Sequence, residues 1–451
     1  MFRKLLIANR GEVVARIART ARRLGIEPVV VHSTADAEAS YVRDNEAVCI
    51  GPAPSGKSYL RAETLIEAAR QRRCAAIHPG WGFLSEKSEF AALCEQHGIT
   101  FVGPSPELMD LMGVKTPAKR RMGELGVPGV PGSPGILRTV AEAVEEARRV
   151  GYPVMVKAES GGGGRGMRVC RDEAELRQAA VEAAREAEAA FSDPSLYLER
   201  YIAAGRHIEI QVMVDRWGTA VTLGERECSV QRKHQKLIEE APSPALTAEQ
   251  RAEVEERVAK ACAALGYRGA GTVEFLLDEH GELWFIEMNT RLQVEHPVTE
   301  MITGVDLVEE QLKVAAGARI SPELGKERRG HAIECRINAE DPEHDFKPCP
   351  GTISGLSLPS GEGVRVETHV EEGYTVPPFY DSMIAKLICH GDTREQAIAR
   401  SIAALESFKV EGLKTTIPFH LRVLRDPRFV SGDYDTTLVA KLAAEGAEGG
   451  E

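Results

Sequence analysis

The sequence predicts a mixed α/β chain in which a doubly wound parallel sheet comes first and a region of antiparallel strands and helices comes last. In the first 113 residues, apolar strand-like runs alternate with helix-patterned segments, and these runs lie at 5–9, 28–33, 47–50, 74–80 and 100–103. Further along, residues 207–214 alternate apolar and polar side chains, and residues 272–291 have the pattern of a hairpin. The order of these patterns predicts α/β architecture followed by α+β architecture.

Composition and charge narrow the classes of function. Lys and Arg total 56 and Asp and Glu total 68, so the formal net charge is 56 − 68 = −12, which excludes a broad nucleic-acid or anionic-membrane surface. The N-terminal apolar run is too short for a signal peptide, and no segment is long enough to span a bilayer. Nine scattered cysteines without a CxxC pair indicate reduced, mostly buried thiols. We therefore expect a cytoplasmic protein.

Composition shifts divide the chain into four predicted segments. Residues 1–113 form the doubly wound N-terminal domain, and residues 114–135 form a linker that ends in the hinge-like run PGVPGSPG. Residues 136–203 form a small module that holds a glycine-rich loop. Residues 204–446 form a C-terminal domain that opens with antiparallel strands and ends in helices.

Polar residues follow the strands of the predicted parallel sheet. Among them are Asn9, Arg10, His32 and the run HPGWGFLSE at 78–86. Because ligands of such sheets gather at the carboxyl ends of the strands, this rim is a candidate binding surface.

The run KAESGGGGRGM at 157–167 contains the first of two phosphate-loop patterns. It satisfies G-x-G-x-x-G through Gly161, Gly163 and Gly166, but a strand-like run follows the glycines where a dinucleotide site needs a helix. A glycine-rich hairpin tip is instead typical of a flap that closes over phosphates, with Lys157 pointing at the phosphate oxygens. The alternative is a mobile surface hairpin with a solvated lysine.

The second pattern is GPAPSGKS at 51–58, which fits the P-loop motif G-x-x-x-x-G-K-[ST]. Pro52 and Pro54 remove two of the backbone N–H donors that such a loop uses to bind phosphate. We therefore expect no P-loop here, although a P-loop nucleotidase built on Lys57 remains a competing hypothesis.

The segment TVEFLLDEHGELWFIEMNTR at 272–291 predicts a metal site. A hairpin that turns at His280–Gly281 places Glu274 directly opposite Glu287, and like charges about 5 Å apart are destabilising unless something compensates them. A divalent cation would do so, with Asn289 on the same face as a third oxygen ligand of the kind that magnesium uses. The alternative is a pair of exposed glutamates that splay apart into water, and we expect burial because Leu276 and Phe285 share this face.

Two further segments allow two interpretations each. In HIEIQVMV at 207–214 one face is apolar, and the other face, His207, Glu209, Gln211 and Met213, has the pattern of a solvated sheet surface. The run QRKHQK at 231–236 is a local anion site or a solvated run of charge, and taken alone it favours the solvated run.

Six separated motifs, taken together, resemble one known family. They are IANRGE (7–12), HPGWGFLSE (78–86), KAESGGGGRGM (157–167), QRKHQK (231–236), EMNTRLQVEHPVTEM (287–301) and ECRINAEDP (334–342). In this order, from residue 2 to about residue 440, they resemble the biotin carboxylases of the ATP-grasp superfamily. The resemblance implies a Rossmann-like N-terminal domain, an ATP-grasp fold with a small mobile lid, and a C-terminal domain of antiparallel sheet and helices that holds the metal, bicarbonate and biotin sites.

The resemblance implies that ATP is bound by residues from the lid and from the body of the protein. Gly163 and Gly164 close over the phosphates, Lys115 and Lys157 contact them, and Glu199 and Ile202 meet the adenine edge through their backbone. The remaining residues with an implied place in the nucleotide pocket are Met167, Arg200, His207, Gln231, His234, Leu276 and Glu287. Two Mg²⁺ or Mn²⁺ ions would be bound by Glu274, Glu287 and Asn289.

The resemblance also implies where bicarbonate and biotin bind. Bicarbonate lies among Lys236, Arg291, Gln293 and the Val294 backbone, and Glu295 is the general base. Arg336 stabilises the charged ureido oxygen of biotin, and Trp81 borders the biotin pocket.

Partners follow from the resemblance as expectations. No A-M-K-M-like biotin attachment sequence is present, so we expect biotin on a separate carrier protein, with carboxyltransferase subunits and a homodimer as further partners. The implied reaction is the first half-reaction of acetyl-CoA carboxylase, which supplies malonyl-CoA for fatty acid synthesis. The alternatives are the biotin-carboxylating subunit of pyruvate carboxylase or of another acyl-CoA carboxylase, and a catalytically inactive scaffold.

Two positions depart from the family pattern. Trp81 stands where tyrosine is usual, and Arg200 stands where lysine is common. Both changes keep bulk or charge, so we expect an effect on affinity and not on activity.

Overall fold

The computed structural model describes residues 1–159 and 167–448. The N-terminal region is a five-stranded parallel sheet in the order β3-β2-β1-β4-β5. Its strands are β1 Lys4–Ile7, β2 Glu27–His32, β3 Glu46–Cys49, β4 Ala76–His78 and β5 Thr100–Phe101. Its helices are α1 Glu12–Arg23, α2 Ser40–Arg43, α3 Ala62–Gln71, α4 Ser88–Gln96 and α5 Pro106–Gly113. The predicted doubly wound parallel sheet is confirmed.

The strand order of this sheet reverses between β1 and β4, where ligands of such sheets bind. Asn9, just after β1, donates from Nδ2 to the carbonyls of Pro79 and Trp81, at 2.7 Å each. Gly80 has φ +66°, and a Cβ there would lie 2.8 Å from Asn9 Nδ2, so this approach requires glycine. Asn9 therefore holds the loop after β4 against the carboxyl end of β1.

A helix and a small α/β module come next in the chain. Helix α6, Lys115–Glu124, lies inside the segment predicted as a linker, and its Ala118 and Met122 are buried in a core shared with the central sheet. The module packs α7 and α8 on an antiparallel sheet of order β7-β6-β8. Its elements are α7 Val140–Val150, β6 Val154–Ala158, β7 Met167–Cys170, α8 Glu173–Phe191 and β8 Leu196–Arg200.

An eight-stranded antiparallel sheet forms the centre of the molecule, in the order β13-β12-β9-β10-β11-β14-β21-β19. Its first five strands in the chain are β9 Arg206–Val214, β10 Ala220–Arg232, β11 Gln235–Ala241, β12 Gly269–Leu277 and β13 Leu283–Asn289. Three helices accompany it, namely α9 Ala248–Ala264, α10 His296–Thr303 and α11 Leu307–Ala315. The predicted region of antiparallel strands and helices is confirmed.

The rest of the chain completes this sheet and covers it with helices. The long strands are β14 His331–Asn338, β19 Val364–Thr368 and β21 Met383–Gly391. Short strands between and after them are β15 Glu340–Asp341, β16 Lys347–Pro348, β17 Gly351–Thr352, β18 Gly355–Ser357, β20 Thr375–Val376 and β22 Lys409–Glu411. The helices are α12 Arg394–Ser407, α13 Ile417–Arg425, α14 Pro427–Ser431 and α15 Leu438–Glu448.

All nine cysteines are free, and seven of them are buried, as the sequence predicts. Among the residues that the structure describes, no helix combines the length and the apolar character needed to cross a bilayer.

Candidate active site

The polar face of β9 is buried, so the predicted solvated surface is wrong. Glu209 and Gln211 are each 0% exposed. Arg226, from the neighbouring strand β10, contacts Glu209 and donates to Gln211 Oε1 at 2.7 Å. The same guanidinium donates to Thr299 Oγ1 of α10 at 3.0 Å. The carboxylate and the amide of this face are stable in the interior because they are paired with a buried cation. The face forms the floor of a polar cleft.

The β12–β13 hairpin pairs Glu274 with Glu287, as predicted, but a bulge follows. Beyond Glu274 the register shifts by one residue, and Phe285 lies opposite Phe275, with their rings 6.4 Å apart in an edge arrangement. Phe285 therefore packs in the core and does not share a face with the glutamates, which corrects the predicted face. Glu274 is buried, whereas the Glu287 side chain is 40% exposed toward the cleft.

Lys236 lies at the centre of the floor and joins three carboxylates. Its Nζ donates to Glu209 at 2.6 Å, to Glu274 at 2.9 Å and to Glu295 at 2.7 Å. Burial alone would lower the pKa of Lys236, but these carboxylates outweigh it and hold that pKa well above its usual range. The run QRKHQK is thus no uniform solvated charge run: Lys236 is an interior cation, whereas Lys233 at the turn is 71% exposed.

Arg291 and Glu86 close one side of this cleft. Arg291 Nε donates to Glu86 Oε2 at 2.9 Å, and its two terminal nitrogens donate to Gln293 Oε1 at 3.0 Å and Asn289 Oδ1 at 3.1 Å. Gln293 Nε2 in turn donates to Glu274 Oε1 at 3.2 Å. A planar guanidinium and an amide therefore stand beside Lys236, which is a donor set suited to a small planar anion.

Arg336 closes the opposite side and reaches the same carboxylate as Lys236. Its Nη2 donates to Glu295 Oε2 at 3.0 Å and its Nε donates to Glu239 Oε1 at 2.6 Å. Burial raises the pKa of Glu295, but Lys236 and Arg336 outweigh it and hold that pKa well below its usual range. Glu295 is therefore an ionised carboxylate held between two cations.

Three lysines converge where the lid faces the central sheet. Lys119 and Lys157 both contact the Glu199 carboxylate, Lys157 at 2.5 Å, and Lys115 Nζ lies 4.0 Å from Glu287 Oε2. Burial, together with the Lys115 charge, lowers the pKa of Lys157 to about 7. Burial, then Lys157 and Lys115, hold the pKa of Lys119 well below its usual range. Such a cluster needs a polyanion to compensate it, as a triphosphate would.

Other residues of the predicted nucleotide pocket lie in the lid, the segment after it, and strands β10 and β12. Met167 pairs with Lys157 across β6 and β7, and a Cβ at Gly205 would lie within 3.1 Å of both Ile202 and Leu276. Gln231 is 9% exposed at the end of β10.

Two histidines of the predicted pocket face the same cleft. His207 Nε2 lies 3.1 Å from Glu274 Oε2. Burial lowers the pKa of His234, and the charges of Lys157, His207 and Lys115 lower it further.

Arg200 and the two lid glycines complete the predicted nucleotide contacts. The Arg200 guanidinium donates to Asp278 Oδ2 at 2.9 Å and stacks on Trp284, so the hairpin turn holds it. Gly163 and Gly164 lie outside the described residues.

Trp81 lines a cavity of about 210 Å³ next to the β1–β4 crevice. Aromatic side chains, including Phe83, Phe379 and Tyr380, form much of its wall. The Trp81 indole Nε1 donates to Glu12 Oε1 at 3.3 Å. An aromatic, partly enclosed pocket of this kind suits a flat organic ring.

The carboxylates of the hairpin fit a divalent cation. Burial and the facing Glu274 raise the pKa of Glu287, which is the repulsion that a metal ion would relieve. Asn289 is close, since its Nδ2 donates to Glu274 Oε1 at 2.8 Å, but its Oδ1 accepts from Arg291. Glu274 and Glu287 are therefore the side chains that would bind the cation. Asn289 would join them only if its Oδ1 gave up the hydrogen bond that it accepts from Arg291.

The P-loop-like segment does not form a phosphate cradle. Residues Ser55–Lys57 form a 3-10 turn, in which Lys57 N donates to the Pro54 carbonyl at 2.9 Å and Ser58 N donates to the Ser55 carbonyl at 3.1 Å. The Ser58 side chain is fully buried. The Lys57 and Ser58 amides, two of the donors that a phosphate would need, are therefore already used.

Sequence reasoning missed several residues of this cleft, namely Glu86, Lys119, Glu209, Arg226 and Glu239. Glu86 was within reach because it ends the HPGWGFLSE motif. Lys119 follows Lys115 by one helical turn, which is a signal for a shared helix face. Glu239 follows Lys236 in β11 without any local pattern that distinguishes it.

Comparisons with known proteins agree with this geometry. Residues 1–109 match the family model "Biotin carboxylase, N-terminal domain", residues 115–322 match "Carbamoyl-phosphate synthase L chain, ATP binding domain", and residues 334–441 match "Biotin carboxylase C-terminal domain". A biotin carboxylase of Haemophilus influenzae is 54% identical over 435 residues, covering 96% of this chain and 97% of the relative.

Solved structures give the same result. The biotin carboxylase of Campylobacter jejuni in complex with β,γ-ATP has a TM-score of 0.95 at 46% identity, covering 98% and 99% of the two chains. The biotin carboxylase domain dimer of Hydrogenobacter thermophilus 2-oxoglutarate carboxylase, with MgADP, ADP and bicarbonate, has a TM-score of 0.93 at 47% identity, covering 98% of each chain. The predicted ATP-grasp fold and ATP-dependent ligase class are confirmed, and the chain belongs to the biotin carboxylase family.

Proposed function

We propose that this protein carboxylates biotin on a separate carrier protein, using ATP and bicarbonate, as the first half-reaction of acetyl-CoA carboxylase. The carboxybiotin would feed malonyl-CoA formation and so fatty acid synthesis. The observation that carries the proposal is the Glu295 carboxylate, ionised between Lys236 and Arg336. Glu295 can act as a base between two groups of cations. Lys236 and Arg291 on one side suit bicarbonate, and Arg336 on the other side suits a second substrate.

ATP would bind between the lid and the central sheet. Lys119 and Lys157 at Glu199, with Lys115 near Glu287, supply the positive charge for the triphosphate. The lowered pKa values of Lys119 and Lys157 indicate that these two lysines gain from an anionic ligand. Met167, Ile202, Leu276, Gln231 and His234 then surround the base and ribose. When bound at Glu274 and Glu287, a magnesium or manganese ion would offset phosphate charge during transfer.

Bicarbonate would occupy the space between Lys236, Arg291, Gln293 and the Val294 backbone. Glu295 takes the proton of bicarbonate, and the freed oxygen attacks the γ-phosphorus of ATP, which releases ADP and forms carboxyphosphate. A further anion at Lys236, beside its three carboxylates, weakens the hold of that lysine on Glu295, which raises the basicity of the Glu295 carboxylate when bicarbonate is present.

Biotin would react at the Arg336 side of the same cleft. Carboxyphosphate breaks down to CO₂ and phosphate, and the phosphate takes the proton from biotin N1′. The nitrogen then attacks CO₂ and forms carboxybiotin. Arg336 stabilises the negative charge on the ureido oxygen at this stage, and its guanidinium is already oriented by Glu239.

Partners follow from this role. The carrier is a biotin carboxyl carrier protein, and carboxyltransferase subunits receive the carboxyl group. A homodimer is supported by the dimeric Hydrogenobacter thermophilus relative, and a cytoplasmic location by nine free thiols. Transfer to pyruvate or to another acyl-CoA is the alternative for the final acceptor, because the half-reaction is the same.

The test measures ADP and carboxybiotin in one reaction, with free biotin as acceptor and with bicarbonate present or absent. Arg291→Ala should lower both products together, because it removes a bicarbonate contact. Arg336→Ala should lower carboxybiotin by about 10²–10³, the usual loss for one oxyanion donor, while sparing slow bicarbonate-dependent ATP cleavage. The ratio of ADP to carboxybiotin should therefore rise only in the Arg336 variant.

Lys57→Ala is the matched control, since that lysine lies in the phosphate-loop pattern without a phosphate cradle, and it should keep both activities. Wild-type ATP cleavage that ignores bicarbonate and biotin would contradict the proposed function. A parallel loss of both products in Arg336→Ala would place Arg336 in the phosphoryl-transfer step instead.

A further inference from the structure

Lys386 is a fully buried lysine outside the chemistry proposed above. It lies in β21, is 0% exposed, and its Nζ donates to the Val294 carbonyl at 2.8 Å. The same Nζ lies 3.3 Å from Glu12 Oε1, and Glu12 is only 2% exposed. An interior ammonium costs free energy unless its partners are well placed, so this position calls for a reason.

The sheet register pairs Lys386 with Arg336. These residues lie directly opposite each other on β21 and β14, so their side chains point from the same face. Arg336 reaches the Glu295 carboxylate and Lys386 reaches the Val294 carbonyl. Two neighbouring cations therefore hold two consecutive residues of one loop.

The same loop is fixed at its other end. His296 Nδ1 donates to the Gln293 carbonyl at 2.8 Å, and Glu295 precedes α10 without using its side chain as a helix cap. The Glu295 carboxylate is consequently free to face Lys236, provided that the 294–295 peptide keeps its orientation. The hydrogen bond from Lys386 to the Val294 carbonyl fixes that peptide.

Glu367 lies opposite Lys386 on β19, and a second counter-charge comes from the N-terminal domain. Glu12 is the first residue of α1, and Trp81 Nε1 donates to the same Oε1 at 3.3 Å. This Trp81–Glu12–Lys386 chain runs from the wall of the aromatic cavity to the loop of residues 293–295, where bicarbonate is proposed to bind. It crosses between the parallel sheet and the central sheet.

We infer that Lys386 is a positioning residue for the bicarbonate step, which holds the Val294–Glu295 peptide in place while Glu12 fixes the ammonium. The inference rests on the proposed function, since it assigns the Val294 backbone and Glu295 to bicarbonate. It requires that loss of Lys386 impairs bicarbonate use while leaving the ATP site, which lies around the three lysines, unaffected.

The test compares Lys386→Met with the wild type by measuring KM for bicarbonate, KM for ATP and kcat of bicarbonate-dependent ATP cleavage. We expect kcat/KM for bicarbonate to fall about ten- to hundredfold, because a displacement near 1 Å can cost about 10²-fold. KM for ATP should stay within about twofold. Equal changes in both KM values, or none, would overturn the inference.

A double variant separates positioning from stability. Lys386→Met with Glu12→Gln removes the unpaired buried carboxylate, so its melting temperature should recover while the bicarbonate defect remains. Glu12→Gln alone keeps an acceptor for Lys386 but removes its counter-charge, so it should impair kcat/KM for bicarbonate less than Lys386→Met does. Recovery of bicarbonate KM in the double variant would show that Lys386 serves only the fold. A wild type without bicarbonate-dependent cleavage would instead contradict the proposed function.

Discussion

The buried carboxylates and cations of this cleft neutralise one another. An anionic ligand can therefore replace a carboxylate as the partner of one of these cations. Glu295 is held ionised by Lys236 and Arg336, and Lys236 is held protonated by three carboxylates. Burial and neighbouring lysines lower the pKa of Lys157 to about 7 and hold the pKa of Lys119 well below its usual range, so these two ammonium charges are weakly held. Anions entering the cleft therefore take over existing cations and need not bring new ones.

Glu287 gives a prediction at the residue scale. Its pKa is raised by burial and by Glu274, which marks a carboxylate that a divalent cation would stabilise. Glu287→Gln should raise the Mg²⁺ concentration for half-maximal ATP cleavage about tenfold or more. Even residues that only support a metal ligand typically change metal affinity by about 10- to 100-fold when they are substituted. The affinity for nucleotide in the absence of metal should change little, as measured by titration with a fluorescent ATP analogue.

The control for this substitution is Glu282→Gln in the turn of the same hairpin, which should leave the Mg²⁺ requirement unchanged. Unaltered turnover of Glu287→Gln at limiting Mg²⁺ would mean that the paired glutamates bind no metal.

Elements were predicted from the sequence more reliably than their faces were. Alternation along β9 correctly separated Ile208 and Ile210 from Glu209 and Gln211. It could not reveal that the buried Arg226 of the next strand, β10, pairs with the polar side. Periodicity reports which residues share a face, whereas burial depends on what the rest of the chain places against it.

The hairpin shows the same limit for register. A turn at His280–Gly281 predicted the Glu274–Glu287 pair, although the pairs nearer the turn are shifted by one residue from that prediction. The bulge after Glu274 was not predictable, since it places Phe285 against Phe275 in a core formed with α6 and α9. Lys236 and Arg336 were found through motifs. The pairing of Lys236 with Glu209 and of Arg336 with Glu239 could be seen only in the folded sheet.

A close approach between the lid connection and β12 gives a prediction at the element scale. A Cβ at Gly205 would lie 2.6 Å from Leu276 Cδ1 and 3.1 Å from Ile202 Cγ2. Gly205→Ala should push both side chains into the nucleotide pocket and raise KM for ATP about tenfold, as one misplaced methyl group can. KM for bicarbonate should stay within about twofold.

Gly123→Ala in α6 is the matched control, because nothing lies within 4 Å of a Cβ there. It should leave KM for ATP unchanged and stabilise the protein by about 0.5–1 kcal/mol through helix propensity. Similar ATP kinetics in the two alanine variants would contradict the steric argument.

At the scale of the whole molecule, the cleft is assembled from parts that are distant in the chain. Glu86, after β4 of the parallel sheet, receives Arg291 and the Thr290 backbone from the central sheet. Glu12 of α1 receives Lys386 of β21. Both contacts join the N-terminal domain to the segment 290–295 of the cleft, directly or through Lys386, so the cleft depends on the packing of the two sheets.

The last helices are attached to the central sheet through another buried carboxylate. Glu240 of β11 accepts from His331 at 2.5 Å, from Arg394 at 2.7 and 2.9 Å, and from the Tyr434 hydroxyl at 2.5 Å. Burial alone would raise its pKa, but these donors outweigh burial and lower the pKa of Glu240 to about 2. Four segments of the C-terminal half therefore meet at one ionised group.

Glu240→Gln should destabilise the fold by about 3 kcal/mol at pH 7, because it leaves buried cations without their counter-charge. A carboxylate whose pKa is lower in the folded state stabilises the fold above its unfolded pKa, and this contribution is lost as pH falls through the folded pKa. The difference in urea midpoint between wild type and variant should therefore be largest near neutral pH and shrink as pH falls from 4.5 toward 2. Glu445→Gln, at an exposed pair with Arg428, should change the midpoint little at any pH. A wild-type-to-variant difference that stays constant across this pH range would show that the Glu240 charge does not hold these segments together.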